Sequence, residues 1–465
     1  MRRSSLLDLA LFLYATILSI ISTLIYIVIG ILPGTDETAT MAPVALALLM
    51  AGLDPLLVLA WFIAAIIAFK ITDAIPVALA GIPGGVMAVP QVPDALVAKE
   101  RGYSDTLLRK GNSAALIASI LTLLFTLAVA WLLLPVGDWL RTTDKIAGVS
   151  VARWFWILLA GVIILAATSR NKWLALATIP VFAILVQGLR SVYGKPVVVS
   201  LFLGITIGPV IVELFQALNR DLRRSIARRG LKEVRLARVG RISLNPLKNL
   251  SREELANVLI WSPITSVLAI VMSPVGLTTL IGDILRESKR DRLEGSLLAY
   301  TTREGIKLGT YIGGTLIPLI VIGSPTGPMS AGPAAPFFQQ IDSIKAKPYE
   351  YILSHYSYLD ITILLLYSAV VSLLITYPLI VKYSREITLY VFRKISAESL
   401  YGLFIAIALV LAYYDSGVTG IFGMLLTALI SGALVRQGVS IGVLFMTLVG
   451  APTIVSLLTA VGSPI

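Results

Sequence analysis

The chain has 465 residues, of which 57% are hydrophobic and only 14% are charged, with a net charge of +12 and a mean hydropathy of +0.89. This composition argues against a soluble globular protein and indicates a chain that lies in a membrane for most of its length. There is no cysteine, and the single histidine is His355. We therefore expect no disulfide, no iron–sulfur cluster, no metal site and no organic cofactor.

Apolar runs of transmembrane length recur from one end of the sequence to the other. The first run follows Arg2 and Arg3, is too long for the core of a signal peptide and lacks a small-residue cleavage site, so we interpret it as a retained helix. Because several runs are short or interrupted, we predict an all-α polytopic membrane protein with about 10–14 membrane segments. The candidate segments are 6–32, 55–72, 113–135, 152–168, 173–190, 196–218, 255–273, 300–323, 359–381, 399–414, 418–435 and 438–461.

A thirteen-residue pattern occurs twice, 242 positions apart, and is the most informative feature of the sequence. The first motif, residues 75–87, reads IPVALAGIPGGVM, and the second motif, residues 317–329, reads IPLIVIGSPTGPM. Proline and glycine interrupt helices, and lipid tolerates interrupted backbone only where it is buried in protein or lines a water-filled cavity. Two matched interruptions, one in each half, predict the binding site of a transporter built from two repeats.

Each repeat has a further interruption upstream of its motif. The first break, residues 32–36, reads LPGTD, and the second break, residues 273–279, reads SPVGLTT; a short apolar helix follows each. A helix that begins inside a membrane presents unpaired N–H groups and the positive end of its dipole, which attract an anion such as a carboxylate. We predict that the breaks and motifs enclose one small anionic substrate. The predicted binding residues are Pro33, Gly34, Thr35, Gly81, Pro83, Gly84, Gly85, Pro274, Gly276, Gly323, Ser324, Pro325, Thr326 and Gly327.

The positive charge is concentrated between the two halves. Eleven basic residues lie in 220–254, which we assign as a cytoplasmic linker between an N-terminal membrane repeat, 1–219, and a C-terminal membrane repeat, 255–465. The linker has no nucleic-acid-binding motif, so we expect no nucleic-acid partner. Flanking charges place the segment after the first motif inside and the segment after the second motif outside, so we predict inverted repeats. Strict inversion places the N-terminus outside, whereas Arg2 and Arg3 favour the inside.

Ionisable side chains within apolar segments are candidates for coupling transport to an ion. Asp36 and Glu37 follow the first break and Asp73 precedes the first motif, so we predict that these three carboxylates bind H⁺ or Na⁺. The structural alternatives are helix capping by Asp36 and an ion pair between Asp73 and Lys70, three residues away on one helical face. A further charged group precedes the second motif and is expected at the membrane interface, where long basic side chains reach water. It consists of Arg303, Glu304 and Lys307.

Two other classes of function stay open at this stage. An intramembrane enzyme would need a nucleophile–base pair, a histidine-containing metal motif or a cofactor fingerprint; none is present, and we predict no catalytic residue, although Asp36 and Asp73 could form a carboxylate-only site. A lipid flippase, scramblase or channel is compatible with the repeats. It would show a polar groove open to the bilayer, whereas a carrier would show an enclosed pocket near the membrane midplane.

The paired breaks and the Gly-x-Pro-x-Gly elements at 81–85 and 323–327 belong to a wider pattern. It includes LDP at 53–55, ERGY at 100–103, a Gly/Thr-rich lead into the second motif and a Gly-rich pair of helices over 418–450. Over most of the chain these features resemble the large membrane subunit of tripartite tricarboxylate transporters, the TctA family, and in particular its divergent archaeal branch. The resemblance implies a multi-pass secondary transporter of the cytoplasmic membrane that moves a small carboxylate-like solute by symport with H⁺ or Na⁺.

The chain also departs from the usual family pattern. GIPG at 81–84 stands where the family has Asn-Thr-Pro-Gly, and GSPT at 323–326 stands where the family has Gly-Ile-Pro-Gly. Asp36 and Glu37 occupy positions that are usually neutral in the family. The resemblance therefore does not establish a citrate-like tricarboxylate as the substrate. It leaves open a homodimer, a small membrane subunit and a soluble solute-binding protein as partners besides membrane lipid and the substrate.

Overall fold

A computed structural model describes most of the chain. Apart from one short β-hairpin, its regular structure is helical. Of the linker assigned to 220–254, it includes only Asp221 and residues 245–254, so most of that assignment lies outside the described residues. The described residues are 9–33, 35–193, 198–219, 221, 245–395 and 397–462.

The first half of the chain forms nine helices and the hairpin within the described residues. These elements are α1 (Leu9–Ile31), α2 (Glu37–Met50), α3 (Pro55–Thr72), α4 (Ile75–Ala80), α5 (Val92–Glu100), α6 (Ser104–Arg141), β1 (Thr143–Ile146), β2 (Val149–Ala152), α7 (Trp154–Thr168), α8 (Lys172–Tyr193) and α9 (Val198–Leu218).

The second half forms eight α-helices within its described residues. Its helices are α10 (Arg252–Leu268), α11 (Pro274–Glu287), α12 (Arg292–Ile317), α13 (Pro328–Ala331), α14 (Pro348–His355), α15 (Tyr358–Lys394), α16 (Ala397–Arg436) and α17 (Ile441–Gly462). Short turns of other helix types lie between the α-helices of both halves. They are 3₁₀ turns at Val86–Gln91, Pro246–Lys248 and Ala335–Phe338 and a π-helical turn at Pro318–Ile322.

The predicted all-α polytopic membrane fold is confirmed. Within the described ranges, nine helical stretches are long and apolar enough to cross a membrane, and α2 and α7 are shorter apolar helices. The stretches built on α3 and α12 are completely buried, whereas the other seven expose much of their surface. A membrane helix that is buried all round lies inside the bundle and away from lipid. The two long helices that lead into the motifs therefore form the centre of the protein.

The two halves pack in the same way. Helix α1 packs on α3 and α10 packs on α12, and each central helix also contacts a long helix of the other half: α15 lies on α3, and α6 lies on α12. Helices α1 and α15 contact one another, as do α10 and α6. Each repeat thus supplies a helix that covers the centre of the other, so the two halves are interlocked.

The two repeats have closely similar backbone conformations. Helices α2 and α11 have the same length, and the starts of α2 and α3 lie 237 positions before those of α11 and α12. At the motifs the offset is 242, and the matched glycines share their dihedral angles: φ/ψ is 75°/24° at Gly81 and 71°/20° at Gly323. It is −125°/174° at Gly85 and −132°/172° at Gly327. The five extra residues of the second repeat lie in the longer α12, because the π-helical turn Pro318–Ile322 has the same length as residues 76–80 of the first repeat.

We expect replacement of the two left-handed glycines to destabilise the protein in parallel. Gly81→Ala and Gly323→Ala each place a Cβ on a left-handed residue, which costs about 1–2 kcal/mol. The new Cβ would also lie 2.9 Å from the end of the Leu96 side chain or 2.8 Å from the Tyr349 ring. Both variants should lower the Tm of the detergent-solubilised protein.

Gly188→Ala is the matched control, because Gly188 lies within α8 and nothing stands within 4 Å of its added Cβ. A helical Gly→Ala change without a clash is neutral or stabilising by up to about 1 kcal/mol. Equal Tm values for all three variants would show that the left-handed turns are not needed for the fold.

Candidate functional site

The first break and the first motif are joined directly. The Thr35 backbone N–H donates to the carbonyl oxygen of Gly84 at 3.1 Å, and the Thr35 hydroxyl is 3.1 Å from the carbonyl of Leu32. A Cβ at Gly84 would fall 2.3 Å from the Gly30 carbonyl oxygen and 2.6 Å from that of Asp73, so only glycine fits between these chains. The Thr35 side chain thus satisfies backbone groups that the break leaves without helical partners.

Two neighbouring acids at the start of α2 have different surroundings. Asp36 is the N-cap, and its Oδ1 accepts a hydrogen bond from the backbone N–H of Ala39 at 2.9 Å. The Glu37 side chain is buried and pairs with the ammonium group of Lys70. Gly85 leaves room beside this pair, since a Cβ there would lie 3.2 Å from Glu37 Oε1. The capping role considered for Asp36 is therefore present in the structure, and Glu37 is an ion-pair partner.

Two lysines at equivalent positions of the repeats meet at one carboxylate. Lys70 on α3 and Lys307 on α12 lie 237 positions apart, the same offset as their helix starts, and both side chains are completely buried. Lys307 Nζ lies 2.6 Å from Asp73 Oδ1, and Lys70 Nζ lies 3.4 Å from Asp73 Oδ2. The Lys70 ammonium also lies 4.0 Å from the centroid of the Tyr311 ring, a cation–π contact with the second repeat.

The ion pairs continue along α12 to a further acid. Lys307 Nζ lies 3.1 Å from Glu304 Oε1, and the same oxygen accepts a hydrogen bond from Gln91 Nε2 at 2.5 Å. Glu304 is 1% exposed. We call Glu37, Lys70, Asp73, Lys307 and Glu304 the buried ionic chain. It contains three carboxylates and two ammonium groups, so with every member ionised it carries one negative charge in excess.

A second group of charges lies beside this chain and is balanced. The buried guanidinium of Arg303 pairs with Asp94 and lies 2.5 Å from Asp283 Oδ1, and Arg286 lies 2.7 Å from the same oxygen. Arg303 also donates to the carbonyl oxygen of Pro90 at 2.7 Å. These contacts attach the segment after the first motif to α11 and α12.

The interfacial position expected for Arg303, Glu304 and Lys307 is wrong, because all three are buried at the centre. Each of the three has a partner in the first repeat, and those pairings are not visible in the local sequence. One signal could have indicated part of the answer: Lys307 occupies the position in the second repeat that Lys70 occupies in the first.

A cavity of about 850 Å³ lies at the second motif and is lined by Gly323, Ser324 and Pro325. Two basic residues contribute to its wall, Arg190 from α8 and Lys347 before α14. The remaining charged residues of the wall are Asp342 and Asp415. The cavity therefore combines one of the predicted motifs with both signs of charge.

The second break also meets its own motif. A Cβ at Gly327 would lie 2.6 Å from the carbonyl oxygen of Ile270, just before the break. Pro274 begins α11 and is buried, whereas Gly276 is exposed. Thr326 is buried, and its hydroxyl has no hydrogen-bond partner among the described residues.

The predicted residues thus divide between the ionic chain, the cavity and the second break. Gly84 and Gly85 lie beside the ionic chain, and Thr35 is bonded to Gly84. Pro33, Gly81 and Pro83 are half-buried, and Gly34 lies outside the described residues. Gly323, Ser324 and Pro325 line the cavity. The cavity and the ionic chain lie close to one another at α2. A Cβ at Gly332, next to the cavity residue Ala331, would lie 3.1 Å from the hydroxyl oxygen of Thr38, which follows Glu37. Within the described ranges no group of three or more metal-ligating side chains is found.

We expect Asp73→Asn to destabilise the protein strongly. The variant leaves Lys70 without one carboxylate contact and Lys307 without its shorter one, and loss of one partner of a buried ion pair costs roughly 3–5 kcal/mol. Asp138→Asn is the control, because Asp138 is 81% exposed and lies 3.7 Å from Arg141, the kind of surface pair that adds little stability. Thermal unfolding in detergent measures both variants. A Tm for Asp73→Asn equal to that of the control would refute a structural role for the pairings.

Comparison with known proteins agrees with this architecture. A scan against models of protein families matches residues 17–446 to the family described as Tripartite tricarboxylate transporter TctA family. A search of curated proteins found no match, and neither did a search of solved structures. The family is one of transporters, which points away from an enzyme, and the nine candidate spans are those of a multi-pass membrane protein. The match covers nearly the whole sequence, and the chain therefore belongs to the TctA family.

Proposed function

We propose that the protein is a secondary transporter that moves a small carboxylate anion by symport with H⁺ or Na⁺. The observation that supports this most directly is the buried ionic chain, in which side chains from both repeats meet beside the first break and the first motif. Ionisable groups inside a membrane bundle are costly, and where they occur they mark ion or substrate routes. Interrupted helices beside such a group are the usual setting of a transporter site.

We place entry of the substrate in the cavity at the second motif. Its volume lies within the range of about 300–1,000 Å³ that is usual for small-molecule sites. Arg190 and Lys347 supply positive charge, and the Arg190 Nε has no hydrogen-bond partner among the described residues. The guanidinium group has a geometry that matches a carboxylate, with which it can form two parallel hydrogen bonds. Ser324, which also lines the cavity, supplies a further polar side chain for an anion.

We assign ion coupling to Asp36, Glu37 and Asp73. The excess negative charge of the buried ionic chain favours uptake of a cation or a proton, since an uncompensated buried charge is unfavourable. Asp36 lies at the N-terminus of α2 directly before Glu37 and adds a further acid to this region. A cation bound here would lie next to the ion pair between Asp73 and Lys307, which joins the two repeats. Its binding and release would therefore change the contact between the repeats.

A scramblase or a channel is a less suitable alternative. A lipid route needs polar side chains along a groove that faces the bilayer, but Lys70, Asp73 and Lys307 are completely buried between helices. Carboxylate-only catalysis by Asp36 and Asp73 has no support beyond the presence of these acids, and Asp73 is held in ion pairs with Lys70 and Lys307. We further propose that the protein lies in the cytoplasmic membrane and that accessory subunits take part, since the family name describes three-part transporters.

Uptake into proteoliposomes tests the proposed function. The purified protein should accumulate a radiolabelled di- or tricarboxylate when an inward H⁺ or Na⁺ gradient is imposed, and collapse of the gradient should release it. Liposomes with the heat-denatured protein are the control for leakage. Failure to bind or move any carboxylate of such a panel, under either gradient, would contradict the proposal.

We expect Asp36→Asn to abolish gradient-driven uptake while the protein stays folded. Asparagine caps helices as well as aspartate does, so the hydrogen bond from the Ala39 N–H is retained and only the charge is removed. The measurement is uptake under an imposed gradient together with Tm. Normal driven uptake in this variant would exclude Asp36 from coupling, and a large fall in Tm would assign it to structure.

We expect Arg190→Gln to raise the KM for a carboxylate substrate more than it changes the maximal rate. The change removes a positive charge from the cavity wall and leaves the ionic chain untouched. Lys145→Gln removes one positive charge from the exposed β-hairpin and serves as the control. If the two variants have the same KM, Arg190 does not contribute to substrate binding.

A further inference from the structure

We propose that Glu304, together with Gln91, is the site that holds the transported proton. This assignment rests on the proposed function, a carrier coupled to an ion, and specifies both the ion and its place. It adds an acid of the second repeat to the three carboxylates of the first repeat that are assigned to coupling, and makes Glu304 the acid that carries the proton. The proton would be bound on Glu304 Oε2 while substrate crosses and released to water on the other side.

The geometry of Glu304 separates its two oxygens. Oε1 accepts a hydrogen bond from Gln91 Nε2 at 2.5 Å and lies 3.1 Å from Lys307 Nζ. Oε2 is buried and has no hydrogen-bond partner among the described residues. Gln91 is completely buried, and its Oε1 likewise has no partner there. A buried carboxylate oxygen without a donor is unfavourable when ionised, whereas the protonated oxygen is itself a donor.

The count of charges calls for one proton, and the ion pairs indicate where it goes. Glu37 is paired with Lys70, and Asp73 lies against both lysines. Glu304 stands at the end of the chain, where its one ammonium contact is with Lys307, which also serves Asp73. Of the three carboxylates, Glu304 therefore loses the least electrostatic stabilisation when it is protonated. Gln91 already contacts Glu304, and its Oε1, which has no partner among the described residues, is the acceptor that we assign to the acid proton.

The groups around Glu304 come from several elements. Helix α12 itself contributes Tyr300, Arg303 and Lys307, the C-terminal end of α3 contributes Asp73, and α5 contributes Asp94. The packed faces of α6 and α10 present Gly111 and Ser262 to this part of α12. Two groups connect the proton site to the first repeat: Gln91 contacts Glu304 directly, and Lys307 connects it to Asp73.

Protonation would change the partner of Lys307. With Glu304 neutral, the Lys307 ammonium is held by Asp73 alone; with Glu304 ionised, it is shared between the two carboxylates. Binding of a proton to Glu304 thus strengthens the contact between Lys307 and Asp73, which joins the repeats, and release of the proton weakens it. Because Glu304 binds a single proton, each cycle moves one proton with the substrate.

Infrared spectroscopy of the purified protein tests the proton site without any substrate. At neutral pH the wild-type protein should show the carbonyl band of a protonated carboxylic acid, and Glu304→Gln should lose it. Glu294→Gln is the matched control, because Glu294 lies on the same helix with a 61% exposed side chain and should leave the band unchanged. An acid band that is absent from the wild type, or unchanged in Glu304→Gln, would overturn the proposal.

Stability gives a second and independent measurement. If Glu304 is already neutral, glutamine is a close isostere and the Tm of Glu304→Gln should match that of the wild type. If Glu304 is an ionised partner of Lys307, the variant should lose stability in the manner expected of a broken buried pair. A large fall in Tm would therefore count against the proposal even where loss of folding prevents the other assays.

Transport separates failure of this inference from failure of the proposed function. In proteoliposomes, Glu304→Gln should retain exchange of labelled for unlabelled carboxylate but lose accumulation driven by a pH gradient and the alkalinisation that accompanies uptake. Pyranine fluorescence in the external buffer reports that alkalinisation. Wild-type accumulation that follows Na⁺ and ignores pH would contradict the proton site while the carrier function stands. Absence of carboxylate transport by the wild type would contradict the carrier function, and the infrared result would then decide on Glu304 alone.

Discussion

Charged side chains at the centre of a membrane bundle must find partners within the protein, because neither lipid nor bulk water compensates them there. The structure meets this requirement with pairs that connect the repeats: Lys307 of the second with Asp73 of the first, and Arg303 of the second with Asp94 of the first. The two halves are thus held together at the centre by ion pairs, while the interlocked helices α6 and α15 hold them at the periphery. A change in the charge of any one member alters the contact between the repeats.

The interrupted helices place those charges. Gly84 allows Asp73 and the chain around Gly30 to approach closely, and the Thr35 side chain satisfies carbonyl groups that the break exposes. The acids at the start of α2 then face the end of α3, where Lys70 and Asp73 lie. Broken backbone and buried charge therefore depend on one another, since the break brings the partners together and the pairing makes the buried position tolerable.

The repeats are similar in backbone but differ in chemistry. The N-cap is Asp36 in the first repeat and Ser273 in the second, and Glu37 of the first repeat corresponds to Pro274 of the second. Both helices keep a capping oxygen, whereas only the first break adds acids to the centre. The second motif instead borders the cavity that contains Arg190 and Lys347. A common framework with different side chains thus places an excess of acids at the first break, and a cavity with two basic and two acidic residues at the second motif.

The sequence by itself determined the all-α membrane class, the internal repeat and the positions of the breaks, because hydropathy and the effects of proline and glycine on a helix are local properties. The equal positions of Lys70 and Lys307 were also present in it, once helix starts are used to align the repeats. Only the tertiary structure decided which charges pair and which are buried. Lys307 and Asp73 are 234 residues apart, and the burial of Arg303, Glu304 and Lys307 depends on partners that the fold brings from the other repeat. Local sequence alone predicts that charged side chains near a helix end lie at the membrane surface. Here, packing against a distant segment supplies partners for these charges and allows them to be buried.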